Sequence, residues 1–201
     1  MTVPVIALTS GDPAGIGPEI AVKARALLGT SVPFVWIGDP RHLPDGTAYT
    51  VVSTPQEALT LPARHLPVLP HAFAQPARPG QPVAQNAHAT IAVIERATAL
   101  VQSGAASALC TAPINKSVLK TGASFAFPGH TEFLAHLAGV DHVVMMLVGV
   151  GLRTVPVTIH CALADVPARL TLTFSNRHFA SPTRASSATS ASPSRTLPLQ
   201  A

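Results

Sequence analysis

Four short groups of residues in this 201-residue chain have types and spacing that could do chemistry. The first, TSGDPAGIGPEI at residues 9–20, places Gly11, Gly15 and Gly17 with Asp12, Pro13 and Pro18 between an apolar run and a helical pattern. Glycine lets backbone amides approach a ligand or a packed neighbour, and the unpaired amides and dipole of a helix N-terminus favour anions. Such a loop could cradle a phosphate. It could equally be a tight strand-to-helix turn with Asp12 as a turn acid. No Gly-Lys-Ser/Thr follows and the spacing is not GxGxxG, so it is neither a Walker loop nor a dinucleotide fingerprint.

The second group is FPGHTEF at residues 127–133. His130 offers a ring donor and Thr131 a hydroxyl at a helix start, which together would clamp a phosphate or a hydroxyl; alternatively Thr131 is only the helix N-cap. The third, Thr158-Ile159-His160, ends a strand-like run. Open α/β sheets place ligands at the C-terminal ends of their strands, and a histidine there could bind a metal or move a proton. A catalytic zinc needs about three protein ligands, and nothing nearby supplies the others, so a packed or exposed histidine remains an open alternative. The fourth, TAPINK at residues 111–116, sets Lys116 at a strand-to-helix turn, to meet a phosphate or to be solvated.

These groups need elements to hold them. Residues 3–8 read as a buried strand and 18–28 as a helix stopped by Gly29. Residues 32–37 and 49–53 read as strands, with a turn at Gly38-Asp39-Pro40 and a short helix or loop at 41–46. Prolines recur from Pro55 to Pro82, which predicts an irregular excursion with short extended pieces such as residues 67–69. A long helix is expected over 84–103, a strand over 106–111, and helices over 115–120 and 131–137. Residues 142–148 (HVVMMLV) predict a continuous apolar strand buried on both faces. Residues 153–160 predict another strand, and a helix starts at 163–170. Strands alternating with helices argue an α/β fold with a mostly parallel sheet.

Composition narrows the classes further. The chain is 47% hydrophobic and 11% charged, but no run of about 18 uninterrupted apolar residues suggests a membrane span. The start has no basic segment of the signal-peptide kind, and a cytoplasmic location is expected. Cys110 and Cys161 lack metal-type spacing and are expected to be reduced thiols. The net charge is +4, carried by scattered arginines without a Lys/Arg block or interleaved aromatics, so nucleic acid is not an expected partner. From Phe174 onward the chain has no Asp, Glu, Lys, Gly, Val, Ile or Met. Serine, alanine, proline, threonine and arginine dominate there, without helix or strand period, and disorder is expected.

TSGDPAGIGPEI, TAPINKSVL, FPGHTEFLAHL and VVMMLVGVGLRTVPVTIH, in that order, resemble the N-terminal half of the 4-hydroxythreonine-4-phosphate dehydrogenase (PdxA) family over residues 1–173. The resemblance implies a fold similar to isocitrate and isopropylmalate dehydrogenases, two α/β lobes around a cleft, in a homodimer. It implies NAD-dependent oxidation of a small phosphorylated amino acid, 4-phosphooxy-L-threonine, at its hydroxyl carbon. Decarboxylation to 3-amino-2-oxopropyl phosphate then follows, on the way to pyridoxal phosphate. By position, His130 and Thr131 match the substrate-binding pair, and His160 matches the first of three histidines that hold a divalent metal (zinc, magnesium or cobalt). Asp12 and Lys116 fall on motif positions without an assigned role, and no residue is assigned as catalytic. Such a metal would lower the pKa of the substrate hydroxyl and stabilise the alkoxide before hydride loss.

Family members exceed 300 residues, so the other two metal histidines and most of the NAD pocket are expected beyond residue 173, and the chain is expected to be truncated and inactive alone. Residues 174–201 are not family-like. Back-translated in a shifted frame, permitted codons from Phe179 onward give RITHAGLQRHFGIAEPHAAVAGL, which suggests a frameshift near Phe174 or Ser175. Two other classes stay open: a non-catalytic fragment that binds phosphate or a partner subunit, and a related dehydrogenase of another phosphorylated hydroxy acid.

Overall fold

In the computed structural model, residues 4–141 and 143–170 are described. They fall into two compact units, divided between Asp141 and residue 142. The expectations for residues 174–201 lie outside the described residues.

The first unit is built on a five-stranded sheet in which every pairing is parallel. In spatial order the strands are β3 (Tyr49–Val51), β4 (Leu66–Pro70), β2 (Phe34–Gly38), β1 (Ile6–Thr9) and β5 (Ala108–Cys110). Side chains alternate across it, as the period of a strand requires. Ala7, Val35, Ile37 and Leu69 join one core with Val93 and Ala97 of α2 (Ala87–Gln102). Phe34, Trp36, Leu66 and Val68 join the opposite core with Ala21 of α1 (Gly17–Leu28). Burial on both faces explains why β2 reads FVWIG, with no polar residue. A third core, Ala87, Ile94, Leu119, Phe125 and Phe133, ties α2 to α3 (Lys116–Ala123) and α4 (His130–Ala138).

The ends of α1 follow local chemistry. Pro18 sits in its first turn, where its missing N–H costs nothing. Gly29 closes it at φ 54°, donating its N–H to the Arg25 carbonyl at 2.9 Å. Arg25 itself is buried. Its guanidinium donates to three carbonyls: His65 at 2.8 Å, Gly29 at 2.8 Å and Pro62 at 3.0 Å. One side chain thus fastens the end of α1 to the segment that enters β4.

The extended piece expected at residues 67–69 is β4, and it belongs to the sheet instead of to an irregular excursion. β4 is a full strand with neighbours on both sides, and a 3₁₀ turn at Pro55–Leu59 precedes it. Two prolines in five residues make it read as a short extended piece and not as a full strand, because proline is confined to strand positions that need no N–H. The ladder with β2 begins at Val68, one residue past Pro67, and ends at Pro70, the strand's last residue.

In the second unit, the expected both-faces-buried strand over 142–148 is not formed. Residue 142 is outside the described residues, and 143–146 have no regular structure. Only Leu147–Gly149 (β6) is extended, paired antiparallel with Leu152–Thr154 (β7). Both strands are exposed, Leu147 at 58% and Val148 at 69%. An apolar run is buried only where other elements cover its faces, and among the described residues of this unit no further strand lies beside the hairpin. The strand expected over 153–160 likewise stops at Thr154. A 3₁₀ turn (Leu163–Asp165) and the short α5 (Val166–Arg169) follow where a helix start was expected.

Candidate functional site

The sheet order places a switch point beside β1. On one side of β1 the chain lays down β2, then β3 at the edge, then β4 between them, and it returns to place β5 on the other side of β1. Loops following two such strands diverge, and the crevice between them is where open α/β sheets bind ligands. The loops at this crevice are residues 10–16, after β1, and residues 111–115, after β5: the first and fourth groups picked out by residue type.

The two loops are fastened to each other. The Asp12 N–H donates to the Pro113 carbonyl at 2.9 Å, and the Ala112 N–H donates to Thr9 Oγ1 at 3.1 Å. Two glycines allow this contact. Gly11 has φ +66°, and a Cβ there would collide with the Pro113 carbonyl; one on Gly17 would collide with the Ser10 carbonyl. Asp12 is a turn acid in this structure: its Oδ1 accepts the Ala14 N–H at 2.9 Å and its carbonyl accepts the Gly15 N–H at 3.0 Å. The glycines of the first loop therefore serve close packing of backbone on backbone.

Beside these loops lies the His130 turn. Gly129 is the N-cap of α4, with no side-chain cap; His130 and Thr131 are the first and second helical residues. Thr131 is thus inside the helix, and the alternative that it is the N-cap does not hold. His130 Nε2 is buried with no hydrogen-bond partner among the described residues. Burial, and next the nearby Lys116 charge, hold its pKa below the ordinary histidine value, so the ring is neutral near pH 7. Phe125, Phe127 and Phe133 stack at centroid distances of 5.1–5.4 Å and make a rigid support under the turn. Lys116 opens α3, whose N-cap Asn115 accepts the Val118 N–H at 3.3 Å.

His160 belongs to the second unit. It is exposed and lies beyond β7 in a bend, with φ +52°. A non-glycine residue in the left-handed region is uncommon, and histidine is among the residues enriched there. Among the described residues no group of three His, Cys, Asp or Glu is placed to hold a metal ion. The described chain therefore does not by itself supply a metal shell: His160 is one imidazole without companions.

One group escaped the sequence reading. After β2, Asp39 is buried and accepts from Arg41 N–H (3.0 Å), Arg41 Nη2 (2.7 Å) and the Phe73 N–H (3.1 Å). Burial alone would raise its pKa, but the Arg41 side-chain and backbone bonds, the Phe73 N–H and the His42 charge bring it down to about 2. His42 is buried against the edge of Phe73, at 4.9 Å, and Nε2 donates to the Gln75 carbonyl at 3.1 Å. That leaves Nδ1 buried without a partner among the described residues. Arg41 and His42 line a cleft of about 520 Å³ with Gly15, Pro18 and Glu19. The signal available was position: Asp39-Pro40-Arg41-His42 follows the C-terminal end of a central strand.

Known proteins resemble this chain over most of its length. A family model described as pyridoxal phosphate biosynthetic protein PdxA matches residues 30–185. A 4-hydroxythreonine-4-phosphate dehydrogenase of Ruegeria sp. (strain TM1040) is 58% identical over 167 residues, 83% of this chain and 51% of that protein. The enzyme of the same name from Paracoccus denitrificans (strain Pd 1222) is 56% identical over 170 residues, again 83% and 51%. The chain thus spans about half the length of the curated relatives it matches. Among solved structures, a 4-hydroxythreonine-4-phosphate dehydrogenase from Klebsiella pneumoniae superposes with a TM-score of 0.81 at 33% identity, covering 90% of this chain and 59% of that one. A terephthalate 1,2-cis-dihydrodioldehydrogenase from Burkholderia xenovorans LB400 superposes less well, with a TM-score of 0.61 at 29% identity, covering 85% and 53%.

Proposed function

The chain belongs to the PdxA family, and from that premise we propose that residues 1–173 are the N-terminal half of a 4-hydroxythreonine-4-phosphate dehydrogenase. Its reaction would be the NAD-dependent oxidation of 4-phosphooxy-L-threonine, with decarboxylation to 3-amino-2-oxopropyl phosphate, in a homodimer of the cytoplasm. The observation that carries this reading is the agreement between relatives and geometry. Relatives at 56–58% identity bear that enzyme's name, and Lys116, just past the loop after β5, lies against Gly129, the N-cap of the helix that begins with His130 and Thr131.

In this reading His130 and Thr131 hold the substrate. A neutral His130 can exchange a hydrogen bond at Nε2 without adding a buried charge, and an unpaired buried ring nitrogen gains from a ligand that completes it. The Thr131 hydroxyl supplies a donor and an acceptor beside it. NAD and a divalent metal are the cofactors this reading requires, with His160 as one metal ligand. His160 has no companion ligands among the described residues.

The test is binding, with turnover measured beside it. The 201-residue chain is titrated with 4-phosphooxy-L-threonine while the His130 ring and Thr131 amide are followed by NMR, and NADH is followed by absorbance with NAD and zinc present. Expected are shifts at both residues, at least tenfold weaker binding in His130→Ala, and no NADH from this chain alone. Absence of any shift at residues 129–131 would overturn the reading. A second reading, a dehydrogenase of a related diol substrate, is favoured by the Burkholderia xenovorans superposition; it would show as binding of a cis-dihydrodiol in preference to the phosphorylated amino acid.

A further inference from the structure

One basic side chain at the crevice has no partner. Lys116 is exposed, and among the described residues its ammonium makes no hydrogen bond and no ion pair within 4.0 Å. It nevertheless hangs over the start of α4. A Cβ built on Gly129 would lie 3.6 Å from Lys116 Nζ and 3.7 Å from its Cε.

Gly129 is the N-cap of α4, a position where glycine is among the favoured residues. Its φ is −174°, extended backbone open to any residue, so the conformation does not demand glycine. Packing does not demand it either, because an added methyl would meet nothing closer than 3.6 Å. What the missing side chain leaves is open space between the Lys116 ammonium and the turn that carries His130. The next residue is His130, whose ring feels the Lys116 charge and whose Nε2 is buried without a partner among the described residues.

The geometry points to Lys116 as a further substrate-binding residue, its ammonium and the opening over Gly129 receiving an oxyanion of the ligand that His130 and Thr131 hold. The inference rests on the reading of those two residues as the substrate site. A phosphate fits this opening better than a lone carboxylate on chemical grounds: it carries more charge and more acceptor oxygens for an ammonium and a ring N–H approaching from different sides. The bland alternative is a surface pair with Glu132, whose Oε2 also lies 3.6 Å from the same point. The two groups are not within ion-pair distance of each other.

The experiment uses the full 201-residue chain and two probes, inorganic phosphate and L-threonine, with amide and imidazole signals of residues 129–131 as the readout. Expected is saturable movement of those signals with phosphate and none with L-threonine. Binding should weaken at least tenfold in Lys116→Met and stay within about threefold in Lys116→Arg, since a guanidinium also binds phosphate. Glu132→Gln should bind as well as the parent or better. Gly129→Asn, which keeps a favoured N-cap residue while filling the opening, should hold the melting temperature and weaken binding. Lys116→Met binding phosphate like the parent, Glu132→Gln weakening it as much as Lys116→Met, or no response to phosphate in the parent would each overturn the inference. The two readings fail separately. If 4-phosphooxy-L-threonine binds and His130→Ala weakens it while Lys116→Met does not, only the role of Lys116 falls. If the substrate moves nothing, both fall.

Discussion

Replacing Asp39 by asparagine should remove most of the acid sensitivity that this one carboxylate gives the first unit. Asp39 is buried and accepts hydrogen bonds from Arg41 and from the Phe73 N–H. Its pKa falls from 3.8 to about 2 on folding. A depressed carboxylate stabilises the fold above its unfolded pKa and loses that contribution as the pH falls through the folded value. At about 1.36 kcal/mol per pH unit the shift is worth about 2 kcal/mol, fully present above about pH 5 and about two-thirds lost by pH 2.5. Asparagine keeps the shape but only one acceptor, and its amide would face the donors of Arg41 or Phe73. Urea unfolding of parent and Asp39→Asn at pH 5 and pH 2.5 reads this directly. The gap should be about 2 kcal/mol at pH 5 and under about 1 kcal/mol at pH 2.5. Burial holds the pKa values of His42, His71 and His130 below the ordinary histidine value, and at His42 and His71 the Asp39 charge works against burial, so the comparison of the two variants also reads the coupling of these two rings to Asp39. A gap that does not narrow between pH 5 and pH 2.5 would refute the reasoning, because the stabilisation would then not come from the ionised carboxylate.

Two further outcomes follow from the same kind of accounting. Arg25→Met should cost about 1–3 kcal/mol in urea unfolding, because it removes the donor to the part-buried His65, Gly29 and Pro62 carbonyls at up to roughly 1 kcal/mol each; a loss below about 0.5 kcal/mol would mean that water replaces the guanidinium. Gly11→Ala should cost about 2–4 kcal/mol, from the left-handed backbone and the collision with the Pro113 carbonyl, and should lower affinity at His130 by parting the two loops; unchanged phosphate affinity with the stability loss present would uncouple the loops from the site.

What could be read from the sequence was whatever is decided locally. The strand-loop-helix of residues 6–28 came through because Pro18 and Gly29 punctuate it and Gly11 and Gly17 mark its tight packing. The helices of 87–138 came through because their apolar period survives without neighbours. What failed depended on partners elsewhere in the chain. β4 becomes a strand only because β3 and β2 flank it, and the positions of Pro67 and Pro70 are permissible only in that register. HVVMMLV read as a buried strand because its composition is that of one, yet burial is set by what lies against it, and the hairpin at 147–154 is exposed. The site divides the same way. Residue type singled out His130, Thr131 and Lys116, but only the sheet order, with β5 returning to the far side of β1, brings the loop of Asp12 against the loop that ends in Lys116. Lys116 then acquires meaning from a residue it does not neighbour in sequence: Gly129, glycine without need of its backbone freedom, is informative because the space it leaves lies under an unpaired ammonium.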